Sequence, residues 1–568
     1  MKYSCTLVLF FLICCTNEPD VIDDQVSTIN NNGLNNSNQT SNNTTSNSNQ
    51  SANSNNESNS YTTYAINVDD TEKREILRGL QGGLVSNIVF EKNNEINIIT
   101  HPAYPRASEE IVIKTIHLNK NLNSNDWNIN YYNVGMSYGG SDVRQFNDEG
   151  YVYADTGTET WFNGGDENDP PYNNIWIAKN IGSQNIDWIK VNDVRSFYHG
   201  VDAGDLNYDG LTDVVGVHQG TFQETPEGQV SYHIYLQKED GSFEQSLNTL
   251  IFKNNLTHEG VSSNGIYPFW FCKDIVNDIS ECPGVARGSV VIKDVTGDNK
   301  PEIIGLSYNN DPSDDLSTEL RNSLEIWSDP DGDSQYTKLR NIPMIGDFEY
   351  SAMGGKKIKS GDIDGDGDND LIIWMEGCLY VPSCSSSTYD NIQIYTNDGN
   401  GEFSYNGNEI PTSRFRLAGI NLFDIDSDGD LDIVGSANLV MDLGPSQYQS
   451  FYYQGLNGLI RNLEDSSPRH QSAIIDFDEL IYYNENGVFE KRDSGFEIKI
   501  NKAKTRRNTP LRENTFEGVL FTTASMINNK LRFYTYSLEQ KDFTDNDTTF
   551  FDPDDYALKL YEYAPPIE

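Results

Sequence analysis

Four stretches of nine residues carry oxygen-bearing side chains at a spacing suited to a hard metal ion, beginning at Asp205, Asp294, Asp362 and Asp424. In the third, Asp362, Asp364, Asp366, Asp368 and Asp370 occupy positions one, three, five, seven and nine, with Gly367 at position six. Carboxylates this close repel one another unless a cation sits among them. Oxygen ligands at alternate positions, a glycine where the chain bends and a closing acid are what Ca2+ requires. The EF-hand alternates its ligands in the same way but closes with a Glu at about position 12, between helices. Here the last acid comes at nine, and apolar runs such as Val291-Ile292 and Leu371-Ile372-Ile373 flank the loops, so the expected setting is strand–loop–strand. An acidic surface turn without metal is the competing reading of any single copy. Four copies with one bend and one spacing argue against it.

The copies are graded. Asp424, Asp426, Asp428, Asp430 and Asp432 form a full carboxylate set, as in the third loop. The first has Asp205, Asn207, Asp209, Leu211 and Asp213, so a neutral oxygen stands at position three. The second has Asp294, Thr296, Asp298, Lys300 and Glu302, with Asn299 in place of the glycine. Fewer charged ligands weaken Ca2+ binding, which makes the second loop the weakest of about four structural sites.

The segments that must position these loops read as short strands. After the third loop, Leu371 to Trp374 is followed by a long connection, Ile392-Gln-Ile-Tyr395, an Asn/Asp-Gly turn and Phe403. Alternating apolar residues around such a turn are hairpin chemistry. The same order recurs at Tyr232 to Leu236 with Asp240-Gly241, and at Leu480 to Tyr483 with Asn486-Gly487. The loop starts lie 89, 68 and 62 residues apart. Four strands per period of about 60 residues is the pattern of a propeller blade. Two repeats without the acidic loop precede the four and one follows, so the expected fold is all-β, a seven-bladed β-propeller, with six or eight blades open. Residues 61–68 or 556–563 would supply the strand that closes the ring.

With these loops and hairpins the chain resembles the FG-GAP/VCBS-repeat family over roughly residues 80–540. That family includes integrin α-subunit heads and many bacterial surface proteins. The resemblance implies calcium loops in the turns between the first and second strands of each blade. It says little about function, since such propellers serve adhesion, assembly and polysaccharide cleavage. The Phe-Gly and Gly-Ala-Pro signatures of the integrin version are not evident, which favours the bacterial VCBS-like branch.

Of 568 residues, 86 are acidic and 40 basic, for a formal net charge of -46. Phosphate binding needs a basic footprint, so a nucleic-acid partner is not expected. Lys2, the apolar run from Leu7 to Ile13 and Cys14-Cys15 read as an export signal too short to span a bilayer. The cysteines resemble a bacterial lipobox, with Cys15 the candidate lipidation site and ordinary signal cleavage the alternative. The domain plan is therefore a lipoprotein signal peptide (1–15), an Asn/Ser/Thr-rich disordered tether (16–60) and one propeller domain (61–568). A lipid at Cys15 would be the chain's only membrane contact. Four further cysteines pair by proximity as Cys272–Cys282 and Cys378–Cys384, disulfides suited to an oxidising compartment. Zinc is the alternative, without CxxC or paired-histidine spacing to support it.

If the loops join first and second strands, the longest connections emerge on the opposite face. They carry Trp161, Tyr267 and Trp270, suited to stacking a sugar or anchoring a protein, or else to packing beneath their own loops. His199, Arg287, Lys356, Lys357 and Arg416 lie five to eight residues before the loops and could ring the channel mouth, drawing an anionic ligand such as a uronic-acid glycan. Pairing with local acids is the plainer role. No GxSxG, HExxH or phosphate loop appears, and His199 or His218 would have to serve as the base of any lyase. The expected function is an exported, lipid-anchored, calcium-stabilised propeller that binds a glycan or protein ligand at the cell surface. A polysaccharide lyase or hydrolase on the same scaffold, or a structural subunit of a surface assembly, are the alternatives.

Overall fold

The computed structural model describes residues 61–66, 84–102, 115–132, 143–154, 174–192, 198–218, 232–246, 286–308, 322–344, 356–375, 392–410, 417–438, 460–461, 472–501, 519–540 and 556–563, apart from a few residues inside these ranges. All the extended elements among them are strands. β1 (Tyr61–Ile66) comes first in sequence. The first blade is β2 (Leu84–Lys92), β3 (Glu95–Pro102), β4 (Thr115–Asn121) and β5 (Asn128–Tyr132). The second is β6 (Val143–Gln145), β7 (Gly150–Ala154), β8 (Ile175–Lys179) and β9 (Asp187–Lys190). The third is β10 (Tyr198–Gly204), β11 (Asp213–His218), β12 (Tyr232–Gln237) and β13 (Phe243–Gln245). The fourth is β14 (Ala286–Lys293), β15 (Glu302–Tyr308), β16 (Asn322–Ser328) and β17 (Thr337–Pro343). The fifth is β18 (Lys356–Gly361), β19 (Asp370–Met375), β20 (Ile392–Asn397) and β21 (Phe403–Tyr405).

The sixth blade begins with β22 (Leu417–Phe423) and β23 (Asp432–Asn438). The chain then makes β24 (Ile460–Arg461) and β25 (Ser472–Asp476), returns to the blade with β26 (Ile481–Glu485) and β27 (Val488–Glu490), and adds β28 (Glu497–Asn501). β24, β25 and β28 form a small sheet of their own. β29 (Val519–Ile527), β30 (Lys530–Gln540) and β31 (Tyr556–Tyr563) complete the order.

The expectation of seven blades, with six or eight open, meets six four-stranded blades. The difference lies in β29, β30, β31 and β1, which join the sixth blade's sheet through Ala437–Thr522 and Asn438–Phe521 pairs to make eight strands. β29 also packs against both β22 and β2, so the circle of inner strands closes through it. Of the two candidate closing strands, both are used: β1 pairs with β31 from Tyr61–Tyr563 to Ile66–Leu558. Buried Lys120 of the first blade reaches Glu562 of β31 at 2.6 Å, and Arg532 reaches the same carboxylate at 2.6 Å.

Each blade is buried on both faces, and strand alternation sends successive side chains to opposite neighbours. Leu371 and Ile373 pack with Val291, Ile304 and Leu324 of the fourth blade. Ile372 and Trp374, between and beside them in sequence, pack with Ile420, Ile433 and Ile481 of the sixth. A continuous apolar run in the second strand thus serves two cores, each fully buried side chain contributing about 1.5–3 kcal/mol. Gly305 allows one close approach: a Cβ there would lie 1.8 Å from the Tyr232 hydroxyl of the preceding blade.

Candidate metal centres

All four acidic loops join the first strand of a blade to the second: 205–213 lies in the third blade, 294–302 in the fourth, 362–370 in the fifth and 424–432 in the sixth. They therefore share one face of the ring. Position six is left-handed in every copy, with φ of 85° at Gly210, 64° at Asn299, 97° at Gly367 and 104° at Gly429. Asparagine is among the few side chains that tolerate this region, which explains the missing glycine of the second loop. Position four is left-handed too, at Tyr208, Gly297, Gly365 and Ser427. Its varied residues gave no sequence signal.

The closing acids Asp213, Glu302, Asp370 and Asp432 are buried where the second strand begins. Each accepts the main-chain N–H of position two: Leu206 at 2.9 Å, Val295 at 3.0 Å, Ile363 at 2.8 Å and Ile425 at 2.7 Å. In three blades the other oxygen accepts a main-chain N–H from the third strand, of Gln237, Asn397 or Asn484, each at 2.8 Å. In the fourth blade it accepts the hydroxyls of Thr296 and Ser328 instead. The first acid folds the turn: Asp362 takes the N–H groups of Gly365 and Gly367, and Asp294 those of Thr296, Gly297 and Asn299.

Burial and mutual repulsion raise the loop acids. Burial, added to by Asp209 and Asp205, raises the Asp213 carboxyl to about 7 despite the N–H donors of Gln237 and Leu206. Burial likewise raises Asp370 and Asp432 to about 6, and lifts Glu302. Asp364 is raised by burial and by Asp366 and Asp362, and its Oδ1 is buried with no hydrogen-bond partner. Negative charge here wants a positive neighbour.

Two loops bring their oxygens together. Carboxylate atoms of Asp362, Asp364 and Asp370 lie within 4.8 Å of one another, as do those of Asp424, Asp426 and Asp432. Calcium–oxygen bonds of about 2.3–2.6 Å allow ligands of one ion to be up to about 5 Å apart, so the donor sets fit this cation. The orphaned Asp364 oxygen fits it too. Asp426, Asp428 and Glu485 form a third group, where Arg492 bonds Asp426 at 2.5 Å and also reaches Glu485 and Glu490. The first two groups lie in the loops that carry full carboxylate sets, and Glu485 of the third lies at the end of β26.

The loops also grip the next blade. Tyr208 donates its hydroxyl to the Asp329 carbonyl at 2.6 Å. Asn369 donates to the Asp294 carbonyl at 2.9 Å, Asn397 to that of Val295 at 2.9 Å and Asn484 to that of Ile363 at 2.6 Å. Asn397 also closes its own hairpin, its Oδ1 accepting the Gly401 N–H at 3.1 Å. Asp329, Asp331 and Asp333 lie in the turn between β16 and β17.

The other candidate residues scatter or fall outside the description. His199, Arg287 and Lys356 lie in β10, β14 and β18, and His218 ends β11, but their side chains are outside the described residues. Lys357 is buried in β18. Arg416, Trp161, Tyr267, Trp270, Cys15, Cys272, Cys282, Cys378 and Cys384 also lie outside the described residues.

Residues 362–435 match the family model for an FG-GAP-like repeat. No curated protein matches the chain. Among solved structures, a protein of unknown function from Dyadobacter fermentans is 10% identical, covering 88% of this chain and 98% of its own, with a TM-score of 0.31. A Trypanosoma rangeli sialidase in complex with sialic acid is 9% identical, covering 84% of this chain and 54% of its own, also at 0.31. Scores this low carry no argument about function. The matched repeat runs from the first acid of the third loop into β23, which makes residues 362–435 an FG-GAP-like repeat within a β-propeller of four-stranded blades.

Proposed function

We propose that this propeller is an exported, lipid-anchored binding module, stabilised by calcium in its four acidic loops, that takes a glycan or protein ligand at the cell surface. The observation that carries the calcium reading is the convergence of Asp362, Asp364 and Asp370 around an Asp364 oxygen with no hydrogen-bond partner. Calcium here is structural: it neutralises turns whose charges oppose folding. The binding reading is supported by topology. With the acidic loops on one face, the long second-to-third-strand connections at 155–174, 309–321, 376–391 and 439–480 leave from the other, where scaffolded loops commonly carry function.

A glycan array probed with the calcium-loaded chain, and again after chelation, tests this. Binding that disappears with calcium, accompanied by a fall in melting temperature, supports the module. Unsaturated products released from acidic polysaccharides would make the chain a lyase instead. Neither binding nor turnover would leave a structural subunit. Lipid at Cys15 is tested separately by the mass of the mature N-terminal peptide.

A further inference from the structure

The inner strands enclose a cavity of about 540 Å³ lined from β2, β6, β10, β14, β18, β22 and β29, so it lies on the axis of the ring. Its charge runs against that of the chain. Arg144, Lys293, Lys357 and Lys359 line it, with Asp202 as the single carboxylate among the described lining residues. In a protein of formal charge -46, this is a concentrated positive interior. The cations come from three different blades. Arg144 of the second extends its Nη2 to the Ser289 hydroxyl at 2.9 Å and to the Ile358 carbonyl at 2.7 Å, in the fourth and fifth blades. Lys359 of the fifth donates to the Ile420 carbonyl of the sixth at 3.1 Å. These bonds tie the cations to the inner strands of neighbouring blades.

The remaining lining is polar and aromatic. Ser360, Asn421, Ser436 and Thr523 offer hydroxyls and an amide. Trp374, 3% exposed, lines the same cavity and carries an indole N–H with no hydrogen-bond partner. A bare inorganic anion would need the cations alone. A polyhydroxylated carboxylate uses the cations for its charge, the hydroxyl and amide groups for its hydroxyls and the aromatic ring for its apolar face. The volume is within the range of small-molecule sites, about 300–1,000 Å³.

We propose that the axial channel is a binding site for a sugar acid, with Arg144, Lys357 and Lys359 holding the carboxylate and Lys293 adding charge at the rim beside Asp294. The choice of a sugar rests on the glycan-binding reading above; the charge of the ligand does not. Low-dielectric walls around clustered cations focus their field, so an anion should bind here despite the repulsive net charge.

Calorimetric titration of the calcium-loaded full chain with galacturonate, galactose and inorganic phosphate tests the site. Galacturonate is expected to bind at least about tenfold more tightly than galactose or phosphate. Lys359→Gln and exposed Lys293→Gln should each weaken it, by up to about tenfold, with melting temperatures near wild type. Lys238→Gln, on an outer hairpin, should change nothing. Trigalacturonate binding more tightly than the monomer would assign the site to a glycan end, and equal affinity to a free sugar acid; both support it. Galactose or phosphate binding as well as galacturonate, or affinity unchanged in both channel variants, overturns it. Array binding that survives both variants, in a chain that ignores galacturonate, overturns the channel site and leaves the glycan module standing. A chain that binds neither loses both.

Discussion

Asn397 donates its side-chain amide to the carbonyl of Val295, 2.9 Å away in the preceding blade's loop, while its own main-chain N–H donates to Asp370 at 2.8 Å. One residue therefore holds two acidic loops. Asn484 repeats the arrangement one blade on, bonding Ile363 and Asp432. In Asn397→Ala the buried Val295 carbonyl loses this donor, at a cost of about 1–3 kcal/mol. If the link couples the loops, the loss of melting temperature will be larger in calcium than in chelator, because calcium must then order each loop without help from the next. An equal loss in both conditions would mean that Asn397 holds blades together without touching the metal sites. Thermal melts of N397A and N484A in calcium and in chelator decide this.

Asp364→Asn should have opposite effects with and without metal. Its carboxyl is raised by burial and by Asp366 and Asp362, so its charged form opposes the metal-free fold. A raised acid contributes stability below its unfolded value and loses it as pH rises through the folded one. Neutralising it should therefore raise the metal-free melting temperature at pH 7.5. In calcium the same change removes a charged ligand and shrinks the metal-dependent increment, which for a single site at a hundred times Kd is about 2.7 kcal/mol. A metal-free melting temperature that falls in D364N would show that the acid is not strained.

Much of this design can be read from local sequence. The loops announce themselves through side-chain spacing, and the hairpins through Asn-Gly and Asp-Gly turns, because both are set by interactions within about ten residues. What was hidden depends on long-range register. Pairing of β1 with β31 joins segments some 500 residues apart, which no local pattern encodes. Arg144 and Lys359 look like ordinary strand cations until the ring turns them to one axis. Asn397 looks like a turn residue because its other role is defined only by a neighbouring blade. The left-handed position four of the loops has no fixed residue type, since Tyr208 and Ser427 share it with Gly297 and Gly365.

Acid should destabilise the first blade through His117. Burial holds its imidazole at about 4, below the usual 6.5, with Nε2 at 2.9 Å from Asn97 Oδ1. The unfolded chain therefore binds more protons than the folded one between these values. Stability is present above about 6.5 and lost as pH falls toward 4, by up to about 1.4 kcal/mol per unit. His117→Gln keeps a polar group beside Asn97 without the titration, so its denaturation midpoint should vary less with pH across this window. Parallel slopes for the two proteins would remove His117 from the account.

Gly305→Ala tests the packing of blade on blade. Gly305 lies in β15 and pairs with Glu325 and Val290, its backbone covered by Tyr232 of the preceding blade. A methyl there would meet the Tyr232 hydroxyl at 1.8 Å and ring carbons at 2.5 and 2.7 Å, far inside contact distance. Tyr232 is fully buried and central to the core shared by the third and fourth blades, so it has little room to move. Overpacking of this kind costs about 1–3 kcal/mol or more. Tyr232→Phe removes the closest atom but not the ring, so G305A with Y232F should recover part of the loss and not all of it. The interaction energy from a double-mutant cycle in urea reads this directly. Additive losses would mean that the two blades can separate at this point without cost, and that the ring is held by its inner strands and loops alone.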